Sequence, residues 1–156
     1  MLARRWLVSD GLRPLRRWRP PGRGVRLGGG LGLRRRRPGW AGFTATRSDP
    51  HLFLACDSLD AQRVVAVRFN IWWDGDGPAD ARLYWRGPDD DFAAERSMSV
   101  RLETHPPAWR EYVVRLDDGG AHPAWRSAGR IVELRFHPPR GGGWIGLGEV
   151  ALCGVE

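Results

Sequence analysis

The chain has 156 residues, 42% of them hydrophobic, enough for one folded domain with a real core. All 25 basic residues are Arg, a bias that points first to a GC-rich genome. Residues 1–39 carry 12 Arg against Asp10 alone, a net of +11, while residues 40–156 carry 13 Arg against 17 acids, a net of −4, giving the overall +7. A mildly acidic folded part argues against a nucleic-acid-binding fold, which would carry its own basic patch. No run approaches the roughly 18 apolar residues of a transmembrane helix. The start, Arg4-Arg5-Trp6-Leu7-Val8, is interrupted by Ser9-Asp10-Gly11, so no signal-peptide core forms and a cytoplasmic location is expected.

Along the chain, residues 1–39 read as an Arg/Gly/Pro-rich disordered tail or linker. Pro14, Pro20, Pro21 and Pro38 break helices, and Gly28-Gly29-Gly30 adds backbone entropy. Arg34 to Arg37 could give that tail an anionic-surface or nucleic-acid contact. From Trp40 onward, short aromatic and β-branched runs alternate with Gly, Pro and Asp clusters. Strands are expected at residues 42–46 and 51–55, with Asp49-Pro50 turning between them. Residues 63–72 alternate most clearly, with Val65, Val67, Phe69 and Ile71 on one face. Asp74 to Pro78 is a turn, and residues 81–86, 97–102, 112–116, 131–137 and 144–153 complete the set, with a bulge at Gly146 and Gly148. About eight short strands and no convincing helix imply an all-β, two-sheet antiparallel sandwich, a jelly roll spanning residues 40–156.

Several segments then carry a resemblance. They are Ser48-Asp49-Pro50, Ala81-Arg82-Leu83-Tyr84-Trp85-Arg86, Glu111 to Leu116, Leu134-Arg135-Phe136-His137-Pro138, and the closing Ile145-Gly146-Leu147-Gly148-Glu149-Val150-Ala151-Leu152. In this order they resemble galactose-binding-like jelly-roll domains, and most of all the carbohydrate-binding-module-like domains appended to bacterial glycosyltransferases and polysaccharide-processing enzymes. His137 replaces the Asp expected there, and Gly129 is displaced in the turn from Trp125. The resemblance implies a non-catalytic module with a glycan ligand or a partner glycan-processing enzyme. It also implies a calcium site near the chain ends, for which Asp49, Asp57 and Glu149 are the available acids.

No catalytic constellation emerges from the residues themselves. His105, His122 and His137 each precede Pro, no nucleophile elbow or zinc motif is present, and Asp89-Asp90-Asp91 and Asp117-Asp118 read as solvated turn formers. No cofactor is expected. Cys56 and Cys153 fit no metal spacing and read as small buried hydrophobes, with a bridge as the minority alternative.

Sugar rings stack on flat aromatic faces while planar donors and carboxylates meet their hydroxyls. Of the consecutive Trp72 and Trp73 only one can face the core, and Trp73, at the strand end beside Asp74, is read as the exposed one. Trp109-Arg110, after Pro106-Pro107, is the second candidate. Trp73, Asp74, Trp109, Arg110 and Arg135 are therefore the expected ligand-binding residues, with Trp85, Trp125 and Trp144 assigned to core or rim packing. The face Glu133, Arg135, His137 with Arg82, Tyr84 and Arg86 is read as an ordinary solvated surface with cross-strand ion pairs. The alternative function is a protein-interaction or structural sandwich with no sugar ligand.

Overall fold

The computed structural model describes residues 11–45, 49–75, 79–103, 107–117, 122–139 and 144–155. Ser48, His105, Pro106, the turn residues 76–78 and 118–120, and the glycine loop 141–143 lie outside them, as do residues 1–10.

Among the described residues the strands are β1 (Leu12–Trp18), β2 (Val25–Leu27), β3 (Leu31–Arg37), β4 (Trp40–Ala45), β5 (Leu52–Asp60), β6 (Ala66–Trp73), β7 (Ala79–Arg86), β8 (Ser97–Leu102), β9 (Trp109–Arg115), β10 (Arg130–His137) and β11 (Trp144–Val155). They form two antiparallel sheets. The first runs β3-β4-β11-β6-β9, with β1 also on β11, and the second runs β2-β5-β10-β7-β8. The sandwich expected from period-two alternation is therefore observed, with all eight expected strands in place.

β11 organises the first sheet. Its first residues pair with β4, from Trp144↔Thr44 to Leu147↔Ala41, and its last with β1, from Val150↔Trp18 to Val155↔Leu12. β6 lies along its other edge, with a register shift between Leu147 and Val150, so the expected bulge falls at Gly148 while Gly146 stays in register with Trp72. Inward side chains of the two sheets meet in one core, where Phe69 of β6 and Phe136 of β10 approach to 5.8 Å between ring centroids. One end is closed by the short helix α1 (Pro123–Arg126), which the alternation pattern does not reveal. Pro123 presets its first turn, and α1 exists to deliver Trp125, which stacks edge-on to Trp85 at 5.1 Å. The indole Nε1 of Trp125 donates to the Ala61 carbonyl at 2.9 Å, so its buried N–H is satisfied.

The expectation of an unstructured tail through residue 39 fails from residue 11 onward. β1, β2 and β3 are built into both sheets. Trp18 is 1% exposed, and its Nε1 donates to the Ala55 carbonyl at 2.9 Å. The arginines that made this segment look repelled are matched to the acids of the domain: Arg16 pairs with Asp57 at 2.9 Å, and Arg17 and Arg19 with Glu149 at 3.8 and 3.2 Å. The charge asymmetry of the sequence is thus partly neutralised within the molecule. Cys56 and Cys153 are both free and buried, in different sheets, as small hydrophobes. Burial pushes the Cys56 thiol up to about 12, which keeps it protonated and unreactive. None of the described helices is long and apolar enough to cross a membrane.

Candidate functional site

The outer face of the first sheet carries an aromatic cleft, and strand register alone explains it. Arg35, Gly42, Gly146, Trp72 and Trp109 are successive cross-strand partners from β3 through β4, β11 and β6 to β9. Cross-strand partners share a face. The row therefore has an arginine at one edge, two glycines in the middle and two indoles at the other edge. Trp144 stands two residues before Gly146 on β11, and Trp40 two before Gly42 on β4, so both share that face.

The glycines are what make the indoles lie down. A Cβ added at Gly42 would fall within the Trp144 ring, and one at Gly146 would come within 2.9 Å of Trp109 Cη2 and 3.2 Å of Trp144 Cζ3. With no side chains there, the rings fold over the backbone and meet edge to face. Trp40 contacts Trp109 at 5.4 Å and Trp144 at 5.9 Å, and Trp72 contacts Trp144 at 4.9 Å. Such T-shaped pairs favour one another beyond simple area burial. The cleft so formed has a volume of about 530 Å³ and is lined by Trp72, Trp109, Trp144, Arg34 and Arg35. Trp109 is its most open ring, 39% exposed. At the rim the Asp74 carboxylate accepts the Trp144 backbone N–H at 2.9 Å, tying the end of β6 to the start of β11.

The expected site residues divide against this geometry. Trp109 lies in the cleft, and Asp74 supports it from behind. Trp73 does not: it is 3% exposed and part of the core. Phe69, Ile71 and Trp73 share one parity, so the alternation that buries the first two buries the third, and Trp72 is the outward ring. Arg110 is the register partner of Ile71, which puts it on the opposite face from Trp109, and its guanidinium donates to the Glu103 carbonyl at 2.8 Å. Arg135 lies on the other sheet, its guanidinium 4.8 Å from the Tyr84 ring centre and 4.6 Å from that of Phe92. Trp72 and Trp144, both cleft residues, were missed. Correct parity would have found Trp72, and the Gly-Xaa pattern of β4 and β11 signals the open floor beneath Trp144.

The second sheet's outer face is the solvated surface expected. Glu133, Arg135 and His137 are register partners of Arg86, Tyr84 and Arg82, and Arg86 pairs with Glu133 at 3.1 Å. At its rim His137 Nδ1 lies 3.2 Å from Asp49 Oδ1. Among the described residues Asp49 does not gather with Asp57 and Glu149 as a calcium site; it lies beside His51 and His137, while Asp57 and Glu149 pair with Arg16 and Arg68.

Burial first, then the nearby Arg135, holds His137 down from its ordinary 6.5 to about 4, against the opposing pull of Asp49. The folded state thus binds fewer protons than the unfolded chain between those values. Stability contributed by neutral His137 is complete above about pH 6.5 and falls as pH drops toward 4. His137→Gln is expected to flatten that part of the profile, read as the difference between urea midpoints at pH 7 and pH 4.5; an unchanged difference would refute it.

No family model matches the chain, and no curated protein matches it. Solved structures do. The family 11 carbohydrate-binding module from Clostridium thermocellum aligns with a TM-score of 0.55 at 12% identity, over 94% of this chain and 98% of that one. A low-affinity xylan binding module from Roseburia intestinalis aligns at 0.53 and 13% identity, over 85% and 90%. A family 6 module from Clostridium stercorarium, solved with cellobiose, aligns at 0.53 and 7% identity, over 90% and 94%. This is the jelly-roll fold of carbohydrate-binding modules. The shared fold covers 85–94% of this chain and 90–98% of those modules. At such identities the likeness is one of fold, and function has to be argued from the cleft.

Proposed function

We propose that the chain is a non-catalytic carbohydrate-binding module whose site is the cleft lined by Trp72, Trp109, Trp144, Arg34 and Arg35. The observation that carries this reading is the glycine floor. Gly42 and Gly146 leave room for indoles to lie along an open sheet face, which a core-packing role for those rings would not need. An open cleft suits a chain-like ligand lying across the strands. Ring faces would stack on pyranose C–H groups, and the guanidinium groups of Arg34 and Arg35 would donate to hydroxyls or carboxylates. Those flanking arginines also favour a polar ligand over a protein partner seated on an apolar patch. Weak, reversible binding is expected, in a role ancillary to glycan synthesis or processing, as the sequence resemblance suggests.

Covering about 60 Å² of indole face at about 25 cal/mol/Å² is worth about 1.5 kcal/mol, or roughly tenfold in affinity. Affinity electrophoresis in gels containing xylan, mixed-linkage β-glucan or acidic polysaccharides should therefore retard the wild-type chain. Retardation should drop about tenfold in Trp109→Ala, and also in Gly146→Val, which leaves every ring present but lifts two of them. Absence of retardation by every polysaccharide, or equal retardation of wild type and both variants, would end the assignment.

A further inference from the structure

We propose that Asp49, His51 and His137 form a three-ligand site for a zinc-class divalent cation. It lies at the rim of the second sheet, away from the indole cleft, and is independent of the carbohydrate reading. One donor atom from each of the three residues lies within 4.8 Å of the other two. Two imidazoles and a carboxylate are a ligand set that borderline cations such as Zn²⁺ accept, whereas calcium requires six to eight oxygens.

Three features of the geometry go beyond proximity. First, His137 Nδ1 and Asp49 Oδ1 are 3.2 Å apart. That contact is a hydrogen bond in which the ring N–H donates to the carboxylate; because two ligands bound at 2.0–2.1 Å with a tetrahedral angle between them sit about 3.3 Å apart, a cation can take the place of that proton with little movement of either group. Second, the His51 ring stacks over His137 at 5.3 Å and is steered by a 2.8 Å contact from its Nδ1 to the Asp49 carbonyl. A carbonyl can only accept, so that nitrogen carries the proton and Nε2 keeps its lone pair, which is the way metal-binding imidazoles are commonly fixed. Third, the ligands are held by stiff backbone. Pro50 separates Asp49 from His51, and Pro138 follows His137, so ring-locked φ angles set the approach of both segments. Gly28 completes the setting, because a Cβ there would collide with the Cδ2–Nε2 edge of His51.

The surroundings limit affinity. Asp80, Arg82 and Tyr84 line a hollow with Asp49 and His137, and Arg135 lies two residues before His137 on β10. Arg82 is drawn off to Ser97 Oγ at 2.8 Å, Asp80 is paired with Arg101 at 3.2 Å, and Arg135 is packed on Tyr84 and Phe92. Nearby guanidinium charge weakens cation binding, so micromolar rather than nanomolar affinity is expected, with water in the remaining position.

The test uses the untagged full chain, stripped with a chelator and titrated with Zn²⁺ by calorimetry and with Co²⁺ by visible absorption. One equivalent of Co²⁺ should produce ligand-field bands that Zn²⁺ abolishes, and Ca²⁺ should produce no binding. Asp49→Asn keeps shape and tolerates the left-handed backbone there, φ 61°, so its fold is retained. It should weaken Zn²⁺ at least about tenfold, and His51→Ala should do so too. No stoichiometric Zn²⁺ binding, or unchanged affinity in Asp49→Asn, overturns the site, even if His51→Ala fails to fold.

Discussion

Trp73→Ala is expected to destabilise the protein by about 3–5 kcal/mol, while Trp72→Ala, one residue away, costs about 1 kcal/mol or less. The contrast follows from burial. Trp73 is 3% exposed, inside the sandwich, and its ring occupies the space that a Cβ at Gly75 would enter. Removing it leaves a cavity walled by two rigid sheets that cannot collapse onto one another. Trp72 lies on the half-open outer face, where water can fill the vacancy and where its main contact is the edge of Trp144 at 4.9 Å. The binding order should be the reverse. Trp72→Ala should lose polysaccharide affinity with a nearly normal urea midpoint. Trp73→Phe, which keeps bulk and removes an indole N–H with no hydrogen-bond partner among the described residues, should stay folded and bind normally. Equal midpoints for Trp72→Ala and Trp73→Ala would mean the parity of β6 is wrong and the cleft misplaced.

How much of this is legible in the sequence depends on range. Alternation is local, so β6, β7, β8 and β10 can be read from their own residues, and β8 is read with its observed bounds. The two-sheet architecture follows, because such strands must hide one face each. The site is a product of register, which is not local. Gly42, Gly146, Trp72 and Trp109 come from four strands, and only pairing aligns them in one row. Even so, Trp72 was readable from the alternation of Phe69 and Ile71. The first strands fail for another reason. Leu12–Trp18 carries three arginines and a proline and has little strand signal of its own. It becomes a strand because β11 offers an open edge and Asp57 and Glu149 offer countercharges. Composition reports the charge of a segment, not the partner that neutralises it.

Deleting residues 1–39 should therefore abolish cooperative folding rather than trim a dispensable arm. The truncated chain loses β1, β2 and β3 and bares the β1-pairing edge of β11 from Val150 to Val155. It also loses Trp18 and Leu31 from the core. A buried Trp alone is worth about 3–5 kcal/mol against a typical total of 5–15 kcal/mol. Loss of Leu31 and of three strand pairings takes most of what remains. Ala55 loses the donors that Trp18 and Arg16 supply to its carbonyl, and Glu149 loses Arg17 and Arg19 and keeps Arg68. The open β11 edge, apolar and unpaired, then invites aggregation. Circular dichroism and thermal melting of the truncated chain should show no sigmoidal transition, and size exclusion should show material in the void volume. A chain beginning at Gly11, which keeps all eleven described strands, should melt cooperatively. A monomeric 40–156 fragment melting within a few degrees of the full chain would show that β1 to β3 add nothing to the fold. The cleft would then have to form without Arg34 and Arg35.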